Sequence, residues 1–123
     1  MNLQLSLKKQ WFEMTRDGIK TEDYREINEY WFKRIFNDVD KIEMPEIIER
    51  LKEGWSIWKV GDYYLHFPKY FEVNTLTLGY PSKSDTSRII QFEHLGIEIS
   101  TGREEWGAEP GKLYFVIKHG KRL

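Results

Sequence analysis

The stretch GIKTEDYREINEYW, residues 18–31, decides how this chain is read. It opens on a glycine suited to ending a helix, then sets a lysine, a threonine, carboxylates and an arginine around Tyr24. A surface loop carries such charges freely, whereas a strand sends alternate residues to opposite faces. Read as a strand from Lys20 to Glu26, it puts Ile19, Thr21, Asp23, Arg25 and Ile27 on one face. Lys20, Glu22, Tyr24 and Glu26 take the other. One face is then partly buried, so some of its charges are paired or used. Two readings stand. In one, Lys20, Asp23 and Arg25 line a polar site as cation, acceptor or base, and clamp, their acidities tuned by partial burial. In the other, Asp23 and Arg25 are a pair that pins a strand to the core.

Working outward, 123 residues suit a single domain with a single core. Seven Phe, seven Tyr and five Trp supply enough bulk to fill a small barrel. A formal net charge of −1 argues against a protein that coats nucleic acid without specificity. Charge is nonetheless polarised. From Pro110 onward, Lys112, Lys118, Lys121 and Arg122 meet no acid, while Asn37 to Gly54 is predominantly acidic and reads as a solvated surface. The absence of cysteine excludes disulfides, thiolate nucleophiles and zinc knuckles. No apolar run has membrane-spanning length and no signal peptide is evident, so no membrane partner and a cytoplasmic location are expected.

Alternation in NLQLS predicts a first strand, and Lys8 to Asp17 a helix with Ser6 as N-cap and Leu7, Trp11 and Met14 on one face. Asn28 is placed to cap a helix reaching Phe36. In MPEIIERLKEG, Pro45 fits a first helical turn and Ile47, Ile48 and Leu51 form a stripe. This helix is expected as an addition rather than part of the core. WSIWKVGDYYLHFPKY reads as two extended pieces turning at Gly61-Asp62. FEVNTLTLGY is a strand. Arg88–Glu93 and Ile97–Ser100 read as two more, separated by His94-Leu95-Gly96, and KLYFVIKHG closes the chain as another. The expected fold is a small α+β barrel of five to seven mixed strands with two or three flanking helices.

His66, His94 and His119 are scattered, so neither metal nor other cofactor is expected, and each reads as a surface or core-edge residue. The loop TGREEWGAEPG lacks a phosphate-loop ending, yet holds a cation, Arg103, beside a flat ring, Trp106. It reads either as a plain turn or as a ligand loop. Tyr80 and Trp106 are the candidates for stacking on a base. Trp11, Trp31, Trp55 and Trp58 read as core or core-edge residues.

LSLKKQWFEM followed by GIKTEDYR resembles the ASCH domain family, in the signature Gly-x-Lys-Thr-x-acid-x-Arg at Gly18, Lys20, Thr21, Asp23 and Arg25. LGY at 78–80 and IEISTGREEWGAEPGKLYFVIKHG resemble that family's closing strands. The resemblance implies one PUA-like barrel domain over residues 1–123, with an insertion at about 38–67. It further implies a cleft for RNA or a modified nucleoside or nucleotide, contacted by Lys20, Asp23, Arg25, Tyr80, Arg103 and Trp106. Some small members of the family hydrolyse N4-acetylcytidine and others are ribonucleases, so the resemblance also implies a hydrolase alternative with Lys20, Thr21 and Asp23 as catalytic candidates. In the acetylcytidine hydrolases a threonine nucleophile lies three residues after the lysine. Here that position is Asp23, a base toward water rather than a nucleophilic hydroxyl.

Overall fold

The computed structural model describes residues 1–123 as an α+β fold of five strands and four α-helices. The strands are β1 (Asn2–Leu7), β2 (Glu22–Arg25), β3 (Val73–Leu78), β4 (Ile89–Thr101) and β5 (Leu113–Arg122). The helices are α1 (Lys9–Arg16), α2 (Glu29–Ile35), α3 (Met44–Lys52) and α4 (Ile57–Tyr64). One mixed sheet runs in the order β1-β3-β4-β5-β2. β1 is parallel to β3, with Leu3 opposite Asn74 and Leu5 opposite Leu76, and β3 is antiparallel to β4. No helix is long and apolar enough to cross a membrane.

The chain divides into two compact units. The first holds Met1–Asp23, Tyr70–Gly96 and Ile117–Leu123; the second holds Tyr24–Lys69 and Ile97–Val116.

In the first unit, alternation buries Leu3, Leu5 and Leu7 on one side of β1. Ser6 is no helix cap. It lies within the strand, and its hydroxyl donates to the Gly79 carbonyl at 3.1 Å. Because Leu7 is spent on the strand, α1 starts later than expected. It buries Phe12 and Thr15 rather than a Leu7–Trp11–Met14 face. The Thr15 hydroxyl donates to the Trp11 carbonyl at 2.7 Å, which satisfies it inside the core. Gly18 ends the helix at φ 76°, as its position suggested.

In the second unit, Asn28 caps α2 as expected, its side-chain oxygen accepting the Trp31 N–H at 2.9 Å. Pro45 sits in the first turn of α3, again as expected. That helix is not an appendage: Ile47, Ile48 and Leu51 are buried with Phe32, Ile35 and Phe115 in one apolar cluster. The stripe faces inward because its spacing keeps those three side chains on one side of the helix. The reading of residues 55–70 is corrected as well. Ile57–Tyr64 within them form helix α4, capped by the Ser56 hydroxyl, which accepts the Lys59 N–H at 3.0 Å. Gly61 marks close packing rather than a turn, since a Cβ there would lie 2.6 Å from the Phe67 ring. This helix raises the count to four. It also turns Trp58 outward, 76 % exposed, whereas a core or core-edge position was expected.

The two strands expected on either side of His94-Leu95-Gly96 are one, β4, of 13 residues. A glycine inside a strand pattern does not by itself make a turn.

Candidate functional site

In the first unit, the turn out of α1 decides where the lysine of the quoted stretch goes. The backbone N–H groups of Ile19 and Lys20 both donate to the Met14 carbonyl, at 2.9 and 3.1 Å. The chain therefore enters β2 only at Glu22, two residues later than the sequence suggested. Strict alternation from Lys20 would separate Lys20 from Asp23. Outside the strand, that constraint lapses. The Lys20 ammonium reaches Asp23 Oδ1 at 2.5 Å and the Glu22 carbonyl at 2.7 Å. Thr21 is exposed, and its carbonyl accepts the backbone N–H of His119 at 3.0 Å.

Lys20 and Asp23 are 2 % and 3 % exposed, so their charges lie out of water. A buried charge is tolerated only when paired and hydrogen-bonded. The second carboxylate oxygen, Oδ2, meets His119 Nε2 at 2.6 Å. His119 is itself buried, not at the surface or core edge as expected. Its other nitrogen, Nδ1, lies 2.8 Å from the side-chain nitrogen of Asn74, a fully buried residue of β3. That amide nitrogen also donates to the Lys118 carbonyl at 3.2 Å.

These contacts set the direction of every proton in the chain. The Lys118 carbonyl can only accept, so the amide NH2 of Asn74 must face it. The same NH2 then donates to His119 Nδ1, which puts the ring proton on Nε2, aimed at Asp23. The Asn74 oxygen faces His94 Nδ1 at 2.7 Å and accepts its proton. One polarised line thus runs from Lys20 through Asp23, His119 and Asn74 to His94. Burial, and then the neighbouring His119 ring, hold His94 below the ordinary histidine range. Its imidazole is therefore neutral near pH 7, with the proton on Nδ1.

The second unit holds the rest of the expected contact residues except Tyr80. Tyr24 packs over Gly102, where a Cβ would lie 2.6 Å from its ring, so only glycine allows the approach. The Tyr24 hydroxyl accepts the Arg103 N–H at 2.9 Å, and its ring lies 5.7 Å from that of Tyr114. This anchors the start of the 102–107 loop. The Arg103 guanidinium then lies 4.7 Å from the Trp106 ring centroid and 3.5 Å from the Glu105 carboxylate. Arg25 stacks likewise on Trp31 at 4.8 Å, with Arg34 over the same indole at 5.2 Å. Tyr80, in the first unit, is 95 % exposed.

The structure thus joins Lys20 to Asp23, and Arg103 to Trp106. His119, Asn74 and His94 were missed, though one of them left a signal. In KLYFVIKHG, Tyr114, Phe115, Val116 and Ile117 are all buried, so alternation does not single out His119. Asn74 sits mid-strand, where asparagine is disfavoured unless its amide is used. No group of three or more His, Asp or Glu side chains is placed to hold a metal ion. Compared with models of known families, with curated proteins and with solved structures, the chain matches none.

Proposed function

We propose that this protein is a cytoplasmic binding domain for RNA or a modified nucleotide, of the PUA-like kind that its ASCH-like motif suggests. On this reading the five-stranded sheet is that of a small barrel, residues 1–123 are one domain, and about 38–67, which carry α3 and α4, are its insertion. The observation that carries the proposal is the Arg103–Trp106 stack in a loop whose first residues are pinned by Tyr24. A flat indole offers a stacking face to any base, and a guanidinium held beside it offers paired donors to phosphate. Arg25 on Trp31 supplies a second unit of the same chemistry. Lys20 and Asp23, buried and paired with one another, then fix the entry to β2 rather than meeting phosphate themselves.

The test is an NMR titration with short single-stranded RNAs and modified cytidines, followed through the five tryptophan indole signals. The Trp106 indole is expected to shift in a saturable way. Trp106→Ala, which removes one stacking face, is expected to weaken binding by about tenfold or more while leaving the fold intact. Unchanged affinity in that variant would sink the assignment.

A second reading, hydrolysis of a modified pyrimidine nucleoside or of RNA, is favoured by one feature. The Asp23 carboxylate is set between a lysine ammonium at 2.5 Å and an imidazole N–H at 2.6 Å. Such a carboxylate–imidazole pair acts as a base toward water once one of these contacts opens to admit it, and so serves attack on an amide or a phosphodiester. Here the same titration decides. Loss of the acetyl signal of N4-acetylcytidine, or cleavage of an RNA, that disappears in Lys20→Ala marks an enzyme. Ligands that outlast hours of contact unchanged mark a reader.

A further inference from the structure

The first unit has a cavity that the motif does not touch. It is an open depression of about 320 Å³, within the range of small-ligand sites, and most of its lining residues are exposed. Lys83, Thr86, Gln91 and Arg122 supply its polar lining, and Ile89, Ile90 and Leu123 its apolar part. No acidic side chain is among them. Arg122 belongs to the basic end of the chain that composition alone singled out.

Charge pairing is common elsewhere in the chain but does not reach this lining. Lys9, Arg16, Lys33, Arg50, Lys52, Arg103 and Lys112 each lie within 4 Å of a carboxylate. Lys83 and Arg122 have no such partner, in a chain whose acids outnumber its Lys and Arg by 20 to 19. Asp85, the acid closest in sequence to Lys83, accepts the Ser87 hydroxyl at 2.7 Å and is not part of the lining. The Gln91 amide is held in place by its bond to the Thr75 hydroxyl, 3.1 Å, and the Gln91 carbonyl by the Leu123 N–H, 2.9 Å. The wall is thus built, while the two cations and the Thr86 hydroxyl remain as donors.

We propose that this cavity binds a phosphate monoester carried on an organic group. The two cations and the hydroxyl match a dianionic phosphate, which takes several charge-assisted hydrogen bonds at once. Ile89 and Leu123 give the organic part an apolar surface to cover, while Ile90 is buried behind them. This site shares no residue with the Arg103–Trp106 loop and stands whether or not that loop binds RNA.

The test is a titration of the ¹⁵N-labelled protein with inorganic phosphate and with AMP, at constant ionic strength. Saturable shifts are expected at the amides of Lys83, Thr86, Gln91 and Arg122, with AMP binding at least severalfold tighter than phosphate. Lys83→Gln combined with Arg122→Gln should weaken both ligands by tenfold or more, with the remaining amide spectrum unchanged. Trp106→Ala should leave this binding as it was, which separates this site's failure from the loop's. Shifts that never saturate, or equal affinity in the double variant, would overturn the site. Equal affinity for AMP and phosphate would overturn the organic group.

Discussion

Both units bury apolar side chains, but the buried charged and polar groups all belong to the first. The first places an ammonium, a carboxylate, an imidazole and a carboxamide in its interior, each hydrogen-bonded to the next. The second closes over an apolar cluster of Phe, Ile, Leu, Val and Met, and its ion pairs lie at the surface. An apolar cluster is held by area and shape, so side chains of like volume replace one another at modest cost. A buried ionic line is held by complementarity, so removing any member strands the next. The first unit is therefore the more specific of the two and the less tolerant of change.

The largest effect should come from cutting that line at Asp23. Asp23→Ala leaves the Lys20 ammonium buried without its carboxylate, which costs about 3–5 kcal/mol when a buried pair is broken. Urea unfolding measures it. Lys20→Met combined with Asp23→Ala should cost less than the sum of the single changes by at least about 1 kcal/mol, since the two share one interaction. Strict additivity would mean that the pair is not coupled, and the contrast between the units would fall with it.

The second unit supplies the matching control. Leu51→Ala, in the apolar cluster, should cost about 2–5 kcal/mol through the cavity it leaves. Leu51→Met, which keeps the volume, should cost under about 1.5 kcal/mol. Asp23→Asn keeps volume equally well yet removes the charge that Lys20 needs, so it should cost more than Leu51→Met. Equal losses for the two isosteric changes would show that packing, not pairing, governs both interiors.

Where local chemistry alone decides, the fold was legible in the sequence. Asn28 as a cap, Pro45 in a first turn, Gly18 as a stop and the alternation of NLQLS all needed only neighbours along the chain. Legibility failed where a distant residue settles the matter. Gly61 looks like a turn until Phe67 is seen folded against it. Lys20 looks opposed to Asp23 until the end of α1 takes its N–H out of strand register. The candidate site shows the same division. The motif marked Lys20 and Asp23, but Asn74 and His119 stand 51 and 96 positions from Asp23 and no local pattern joins them to it.

The smallest expected effect tests the far end of the line. His94 is held below the ordinary histidine range by burial and by His119, and it returns to about 6.5 when the chain unfolds. As pH falls below about 6.5, the unfolded chain therefore takes up a proton that the folded protein resists, and stability declines. Above that value both states are neutral at this residue, and its contribution is flat. His94→Gln keeps an N–H for the Asn74 oxygen but does not titrate, so its stability should fall less steeply between about pH 6.5 and 5. The difference in slope between the two proteins isolates His94 from the carboxylates, which they share. Parallel slopes would mean that the imidazole protonates as readily in the fold as in water. The line from Lys20 would then end at Asn74, and the first unit would have no titrating group at its outer end.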